Sequence, residues 1–360
     1  MKRGRQSIGI KLGWVYFYVH FAVEVVCFYY LYRLFSAGPF WGLAALTYDV
    51  VAFMPQSVMG MFVQKHPRVR AGMLGGILLM VSLLMAEMPF ALSYWAGLLM
   101  LALGNAAIHI WGAFATMTTS EGRLTPSAVF VAGGSFGVVT GMILAENRVA
   151  VWLPLFLLCA AVALMAGTDG MWRKEGEREG FVTCFDLAAE RPFERILVLA
   201  FIVVMIRSYM AYGIPTAWNK TVMQSIALFS AMGAGKALGG VLADRFGAKK
   251  VALISSLLAF PFLLAGNHQM YVSLIGIMLF SMTMPITLGT IASVLRRAPG
   301  LAFGITTIGL LFGLLPVFFY RIHNFYVNAG VLGILTAIAV FALNHTLKGR
   351  KAIEGKNDIA

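Results

Sequence analysis

Six ionisable residues interrupt stretches that are otherwise apolar: His20, Glu24, Asp49, His109, Arg207 and Lys236. Placing one charge at the centre of a membrane helix costs roughly 2.5–3.5 kcal/mol. The two acids, Arg207 and Lys236 together would cost about 10–14 kcal/mol, comparable with the whole stability of an ordinary domain. Such groups must be paired, hydrated or protonated, and here the two acids balance the two bases. His20 and Glu24 lie one helical turn apart on the same face, so a proton could pass between them. Glu24 and Arg207 stand at similar distances from the basic residues that open their stretches, Lys11 and Arg195, which puts both near mid-membrane. Two arrangements follow: Glu24 exchanges a proton while Arg207 holds an anionic group or competes for Glu24, or the two form a fixed bridge. His109 reads equally as a packed, hydrogen-bonded histidine or as a third member of the set. Asp49 and Lys236 read as structural charges, with Lys236 near enough to a helix end to snorkel.

The elements that carry these residues are membrane helices. The chain of 360 residues is 60% hydrophobic and 12% charged, against about 25% charged in soluble domains, so water is not its main solvent. A span takes roughly 20 apolar residues. Hydropathy marks twelve: about 13–34, 41–62, 71–89, 92–116, 126–145, 149–167, 194–214, 222–243, 249–266, 270–294, 301–320 and 325–346. The net charge of +13 does not point to nucleic acid, because the basic residues crowd into the termini and every second loop. They are Lys2, Arg3, Arg5 and Lys11; Lys65, Arg68 and Arg70; Arg245, Lys249 and Lys250; Arg296 and Arg297; Lys348, Arg350 and Lys351. The positive-inside rule then puts both termini and the long middle loop in the cytoplasm. The basic start is not a cleaved signal peptide, since its apolar run is too long and lacks a small-residue cleavage site. Cys27, Cys159 and Cys184 are far apart with no paired spacing, which gives no disulfide and no metal site. No cofactor is expected.

The chain divides into an N-terminal six-helix bundle (1–167), a mixed-charge linker (168–193) and a C-terminal six-helix bundle (194–360). The linker carries Arg173, Lys174, Glu175, Glu177, Arg178 and Glu179. The halves echo one another. Gly60-x-x-x-Gln64-Lys65-His66-Pro67-Arg68 closes the second span and Gly240-x-x-x-Asp244-Arg245-Phe246-Gly247 closes the eighth. Pro126, Ser127 and Phe130 open the fifth span much as Pro299, Gly300 and Phe303 open the eleventh. Repeated bundles of this kind are a transporter architecture. Asp244 is expected at a helix C-terminus, where the macrodipole disfavours an acid by roughly 0.3–1 kcal/mol. It therefore needs a cation or another helix's N-terminus as partner, and such a contact would make a conformational latch. Gly247 suits a tight turn.

The string Gly240, Asp244, Arg245, Gly247, Lys249 and Lys250 resembles the loop signature of the major facilitator superfamily, G-x-x-x-D-R-x-G-R-R/K-R/K, with Ala248 replacing one basic residue. The copy after the second span departs further: Gln64 stands for the acid and Pro67 for the glycine, so it lacks the charge for an equivalent latch. Within the superfamily, His20-Phe21-x-x-Glu24, Gly104-Asn105-x-x-x-His109, Arg207-Ser208-Tyr209 and Met282-Thr283-Met284-Pro285 are similar to the fosmidomycin-resistance-type branch and its short bacterial relatives, though Glu24 replaces the more usual Asp. The resemblance implies an all-α fold of twelve helices in two pseudo-symmetric bundles, helices 1, 4, 7 and 10 lining a central cavity. It implies a monomer in the bacterial cytoplasmic membrane that exports a small, often anionic, solute in exchange for protons, with solute, protons and lipid as partners and no nucleic acid. Glu24, His20 and His109 would then carry the proton, and Arg207, Asn105, Tyr209, Thr283 and Thr287 would face the substrate. A uniporter or importer would use the same helices without the proton step. Gly133-Gly134-Ser135-Phe136-Gly137 fits a hydrolase nucleophile elbow, with Ser135 and His109 as candidate nucleophile and base. That motif needs a strand before it; inside an apolar span its glycines read as helix packing. Gly233-x-Gly235-Lys236 is no phosphate loop, because Ala237 stands where Ser or Thr is required.

Overall fold

The computed structural model describes residues 2–66, 68–174 and 180–349, with side chains from 7 onward. The side chains of Lys2, Arg3 and Arg5, together with Pro67, Glu175, Glu177, Arg178, Glu179, Arg350 and Lys351, lie outside the described residues. The expected helices are present: α1 (Lys2–Phe35), α2 (Trp41–Lys65), α3 (Ala71–Met85), α4 (Ala91–Thr118), α5 (Thr125–Glu146), α6 (Trp152–Thr168), α7 (Phe193–Gly213), α8 (Val222–Phe246), α9 (Ala248–Ala265), α10 (Met270–Val294), α11 (Pro299–Phe319) and α12 (Phe325–Thr346). Among the described residues 11 are long and apolar enough to cross a bilayer. The exception is α3, whose 15 residues fall short of the roughly 20 that a perpendicular span needs.

Two spans are broken, each at a proline. In α2 the segments Trp41–Phe53 and Gln56–Lys65 meet at Pro55, which has no N–H to continue the ladder. The Gln56 side-chain amide donates to the Ala52 carbonyl at 2.8 Å across the break, satisfying the backbone from within, as a bilayer requires. In α10 the segments Met270–Ser281 and Thr283–Val294 meet at Met282, within one turn of Pro285.

The packing repeats itself. α1 lies against α4, α5 and α6, and α7 against α10, α11 and α12; α3 pairs with α4 and α6, and α9 with α10 and α12. The two bundles meet along α2–α11 and α5–α8, again a symmetric pair. Glycines set the closest approaches. Along α5, Gly133, Gly137 and Gly141 face the α1 backbone; a Cβ at Gly137 would fall 2.7 Å from Glu24 Cβ, and one at Gly141 would fall 2.5 Å from the Val25 carbonyl. The glycine run is thus a packing stripe that brings α5 onto the chemistry-bearing face of α1. Across the seam, a Cβ on Gly60 of α2 would sit 2.5 Å from the Gly300 carbonyl carbon of α11.

At the end that carries the basic loops, the linker segment 180–190 forms a strap. Phe181, Thr183 and Phe185 are buried, and the Phe181 ring meets Phe114 of α4 at 4.9 Å. The Thr183 N–H donates to the Arg296 carbonyl at 2.9 Å and its hydroxyl to the Ala292 carbonyl at 3.1 Å. Asp186 pairs with Arg296 at 3.0 Å and with Lys348, and these cations, Lys348 foremost, hold its carboxyl below the usual carboxylate range. What the sequence presents as a tether is therefore a structural tie between the ends of α4, α10 and α12.

The glycine stripe makes a direct prediction. Gly137→Val should lower the melting temperature of the detergent-solubilised protein by several degrees, since overpacking costs about 1–3 kcal/mol. Gly167→Ala, where a Cβ meets nothing within 4 Å, should leave it unchanged or slightly higher. Equal melting temperatures for the two variants would contradict the packing role.

Candidate functional site

His20 and Glu24 of α1 meet His109 and Asn105 of α4 in a buried cluster. His109 Nε2 lies 3.5 Å from Glu24 Oε1 and His20 Nε2 lies 3.7 Å from it. Asn105 Nδ2 sits 3.1 Å from Glu24 Oε1, 2.9 Å from the Tyr48 hydroxyl of α2 and 3.5 Å from Cys27 Sγ. α1 supplies two residues at helical spacing, α4 supplies two more, and the glycines of α5 let the three helices close on them. Phe130 of α5 and Phe303 of α11 stack over His109 at 6.3 and 6.4 Å and cover the cluster with one aromatic from each bundle.

The hydrogen bonds orient both rings. His20 Nδ1 lies 2.9 Å from the Phe130 carbonyl and His109 Nδ1 lies 2.9 Å from the Asn105 carbonyl. A carbonyl oxygen only accepts, so each Nδ1 carries a hydrogen. Both Nε2 atoms would then present lone pairs, yet they lie 2.9 Å apart. Two lone pairs do not approach to hydrogen-bond distance without a proton between them. That contact suits a proton shared between the two Nε2 atoms, with the Glu24 carboxylate beside it. The three ligand atoms also cluster tightly enough for a metal ion. Two nitrogens on one tetrahedral zinc, with bonds of about 2.0–2.1 Å, would stand roughly 3.4 Å apart, somewhat wider than the 2.9 Å found here.

The expected C-terminal residues are arranged differently. Arg207 of α7 is buried, and its Nε and Nη2 have no hydrogen-bond partner. No ion pair joins it to Glu24 among the described residues, so the fixed-bridge arrangement is not the one adopted. It borders a narrow cleft between α7, α9, α10 and α12 with Thr283. The cleft's volume of about 30 Å³ is roughly the share of one water. Thr287 is buried beside it, its hydroxyl donating to backbone carbonyls of its own helix, Met284 at 2.9 Å and Thr283 at 3.1 Å. Tyr209 lines a cavity of about 360 Å³ at the opposite end from the basic loops, with Tyr212, Arg321, His323 and Asn328. Asn105 is turned to Glu24 and Tyr48. Asp49 is half-buried. Lys236 crosses the seam from α8, its Nζ donating to Ser135 Oγ of α5 at 2.8 Å. Ser135 is thus engaged by a lysine and not by His109. Tyr48 and Cys27 are members of this site that no local spacing marks, and the contacts of Phe130, Phe303 and Ser135 with it are visible only from the helix packing.

The loop signature supplies the seal at the basic end. Both Asp244 carboxylate oxygens are engaged by the start of α5: Oδ1 accepts from Leu124 N–H at 2.8 Å, and Oδ2 accepts from Thr125 N–H at 2.9 Å and its hydroxyl at 2.6 Å. An acid misplaced at its own helix C-terminus is thereby an N-cap of its neighbour. Gly240 packs on Ala128, and Gly247 turns the chain at φ +95°. Arg245 lies over the Phe246 ring at 5.3 Å, and Lys249 and Lys250 open α9. The counterpart on α2 is kept in neutral form, with the Gln64 amide donating to the Arg297 carbonyl just before α11. Among the described residues, hydrogen bonds between bundles reach from this end no deeper than Lys236–Ser135 and the Thr307 hydroxyl's donation to Phe53 at 3.2 Å. The seam is closed at the basic end.

Similarity to known proteins agrees with this geometry. The chain is 28% identical over 307 residues to the uncharacterised MFS-type transporter YfnC of Bacillus subtilis (strain 168), covering 74% of this chain and 75% of that protein. It superposes on the human organic anion transporter MFSD10 (TETRAN) with a TM-score of 0.66 at 13% identity, covering 94% of this chain and 99% of that one. The major facilitator superfamily transporter FucP in its outward conformation gives 0.62 at 12% identity, covering 94% and 98%. No family model matches. The chain is a membrane transporter with the major facilitator fold. Within the transporter, the buried cluster lies in the first bundle, and Arg207 and Lys236 belong to the second.

Removing the Asp244 cap should weaken the seal. A lost N-cap costs about 0.5–2 kcal/mol, roughly 2- to 30-fold in the open-to-closed ratio. With spin labels at Lys65 and Lys250, both exposed, Asp244→Ala should add a longer-distance population; an unchanged distance distribution would contradict the seal.

Proposed function

We propose that this transporter exports a small organic anion from the cytoplasm in exchange for protons, by alternating access, as a monomer in a bacterial cytoplasmic membrane. The observation that carries the reading is the approach of the His20 and His109 Nε2 atoms to 2.9 Å beside Glu24, a geometry that suits a shared proton. Orientation rests on charge: the basic loops mark the cytoplasmic side, so a seam closed there faces the cavity outward. The division into bundles 1–167 and 194–360, joined by 168–193, supplies the two rigid bodies that rock about the seam.

In this reading the outward-facing protein has released its solute and taken up a proton. Neutralising Glu24 removes the cost of carrying an unpaired charge through the closed state, which allows the seam to part. Cytoplasmic exposure then frees the proton. Arg207, whose burial without a counterion is costly, receives the anionic group of the solute. The cleft beside it is narrow while the basic end is closed. Thr283 and Thr287 line the neighbouring part of α10, and Tyr209 lies on the route out.

Purified protein in liposomes loaded with a pH-sensitive dye tests this. Under an imposed pH gradient, a panel of organic anions should contain a member that drives proton flux in the wild type. Glu24→Gln should abolish that flux, and Arg207→Gln should reduce substrate-dependent flux at least tenfold. Solute movement without protons in both wild type and Glu24→Gln would leave a uniporter; co-directional flow of solute and proton would make it an importer.

A further inference from the structure

The three side chains of the proton cluster also offer what a metal ion asks of its ligands. His20 Nε2, His109 Nε2 and Glu24 Oε1 form a triangle with edges of 2.9, 3.5 and 3.7 Å. The point equidistant from the three lies about 2.0 Å from each, and zinc binds imidazole nitrogen at about 2.0–2.1 Å and carboxylate oxygen at about 2.0–2.2 Å. An ion there would see the two nitrogens at about 90°, a closed tetrahedral angle that the two longer edges offset. The rings meet at 82° with centroids 4.4 Å apart, so they are angled to one another and both Nε2 lone pairs can converge beside the line that joins them. Metal-bound imidazoles are held through their other ring nitrogen, which fixes the tautomer. Both rings have that hold, from the Phe130 and Asn105 carbonyls at 2.9 Å. The carboxylate is held in turn by the Asn105 amide, 3.1 Å from Oε1. Asn105 Oδ1 is buried without a partner, an acceptor beside Glu24 for a water on the ion. Among the described residues this is the one such set of three His, Cys, Asp or Glu side chains. Two imidazoles and a carboxylate suit zinc and its first-row neighbours, whereas magnesium and calcium take oxygen ligands.

We propose that His20, Glu24 and His109 bind a divalent ion of the zinc class, with a water in the fourth position, and that the bound ion arrests the transporter. The arrest rests on the proton-exchange reading; the site does not. Charge gives its reason. Glu24 with one shared proton makes a neutral set, whereas Glu24 with a divalent ion leaves one positive charge over. That charge would have to stay in the membrane interior while the seam parts and closes, and a buried charge without a partner is costly. The ion is an inhibitor and not a cargo, because its ligands all belong to α1 and α4. These helices lie in one bundle and stay together as the seam moves, so the cycle supplies no step that opens the site.

The test titrates untagged full-length protein, stripped of metal by a chelator, with zinc by calorimetry and with cobalt(II) as a coloured stand-in. The wild type should take up one ion per chain, with the visible d–d absorption of four-coordinate cobalt. Glu24→Gln and His109→Gln should each weaken binding at least tenfold, and His268→Gln, exposed in the loop before α10, should leave it unchanged. His109→Cys should bind cobalt and add a thiolate-to-cobalt charge-transfer band, a signature that a misfolded chain would not give. In liposomes zinc should block anion-driven proton flux in the wild type, and magnesium should not. No saturable binding in the wild type, or binding that survives both Glu24→Gln and His109→Gln, would overturn the site and leave anion export standing. Zinc bound with flux undiminished would overturn the arrest. Failure of every anion to drive proton flux in metal-free wild type would instead remove the export reading, while the titration still decides the site.

Discussion

The rest of the site depends on one contact: two imidazole nitrogens 2.9 Å apart, each on a ring whose other nitrogen is committed to a carbonyl. A proton shared between the two Nε2 atoms satisfies every one of these contacts. It turns three polar residues in a low-dielectric setting into a neutral group, which is the condition for leaving them buried. It also makes the energy of the cluster depend on whether the proton is present. Remove it, and an unbalanced carboxylate faces two lone pairs. A device that is comfortable in one protonation state and strained in the other can bias a conformational equilibrium, provided the surrounding helices move.

α5 links that cluster to the moving parts. One face of this helix, through Gly133, Gly137 and Gly141, lies on the α1 backbone beside Glu24, and its Phe130 carbonyl holds His20. Its opposite contacts run along α8: Asp244 caps its start, Ala128 meets Gly240, and Ser135 accepts from Lys236. Phe130 and Phe303 bring the two bundles together directly over His109. α5 thus contacts both the cluster and the seam.

Much of the fold was legible in the sequence because hydropathy and loop charge report directly on membrane spans. The breaks at Pro55 and Pro285 follow from the missing N–H. The need of Asp244 for a partner followed from its place at a helix C-terminus, and the partner is another helix's N-terminus. His20 and Glu24 could be paired by their spacing alone. His109 could not, because its approach depends on how α4 packs against α1; only the family resemblance grouped it with Glu24. Asn105 was expected to face solute, yet its amide is spent on Glu24 and Tyr48. Lys236 was read as a structural charge at a helix end; its bond to Ser135 joins opposite halves, and no periodicity within one helix encodes a contact of that kind. The short α3 and the strap at 180–190 were likewise invisible to a window that sees only apolarity.

The account rests most directly on the shared proton, and nitrogen NMR of histidine-labelled protein in lipid can observe it. At neutral pH the His20 and His109 signals, assigned by His20→Gln and His109→Gln, should show both Nδ1 atoms protonated and one hydrogen shared between the two Nε2 atoms. Glu24→Gln should lose the shared hydrogen. Two neutral rings with both Nε2 atoms bare, or with an Nε2 proton that survives loss of the Glu24 charge unchanged, would contradict the account.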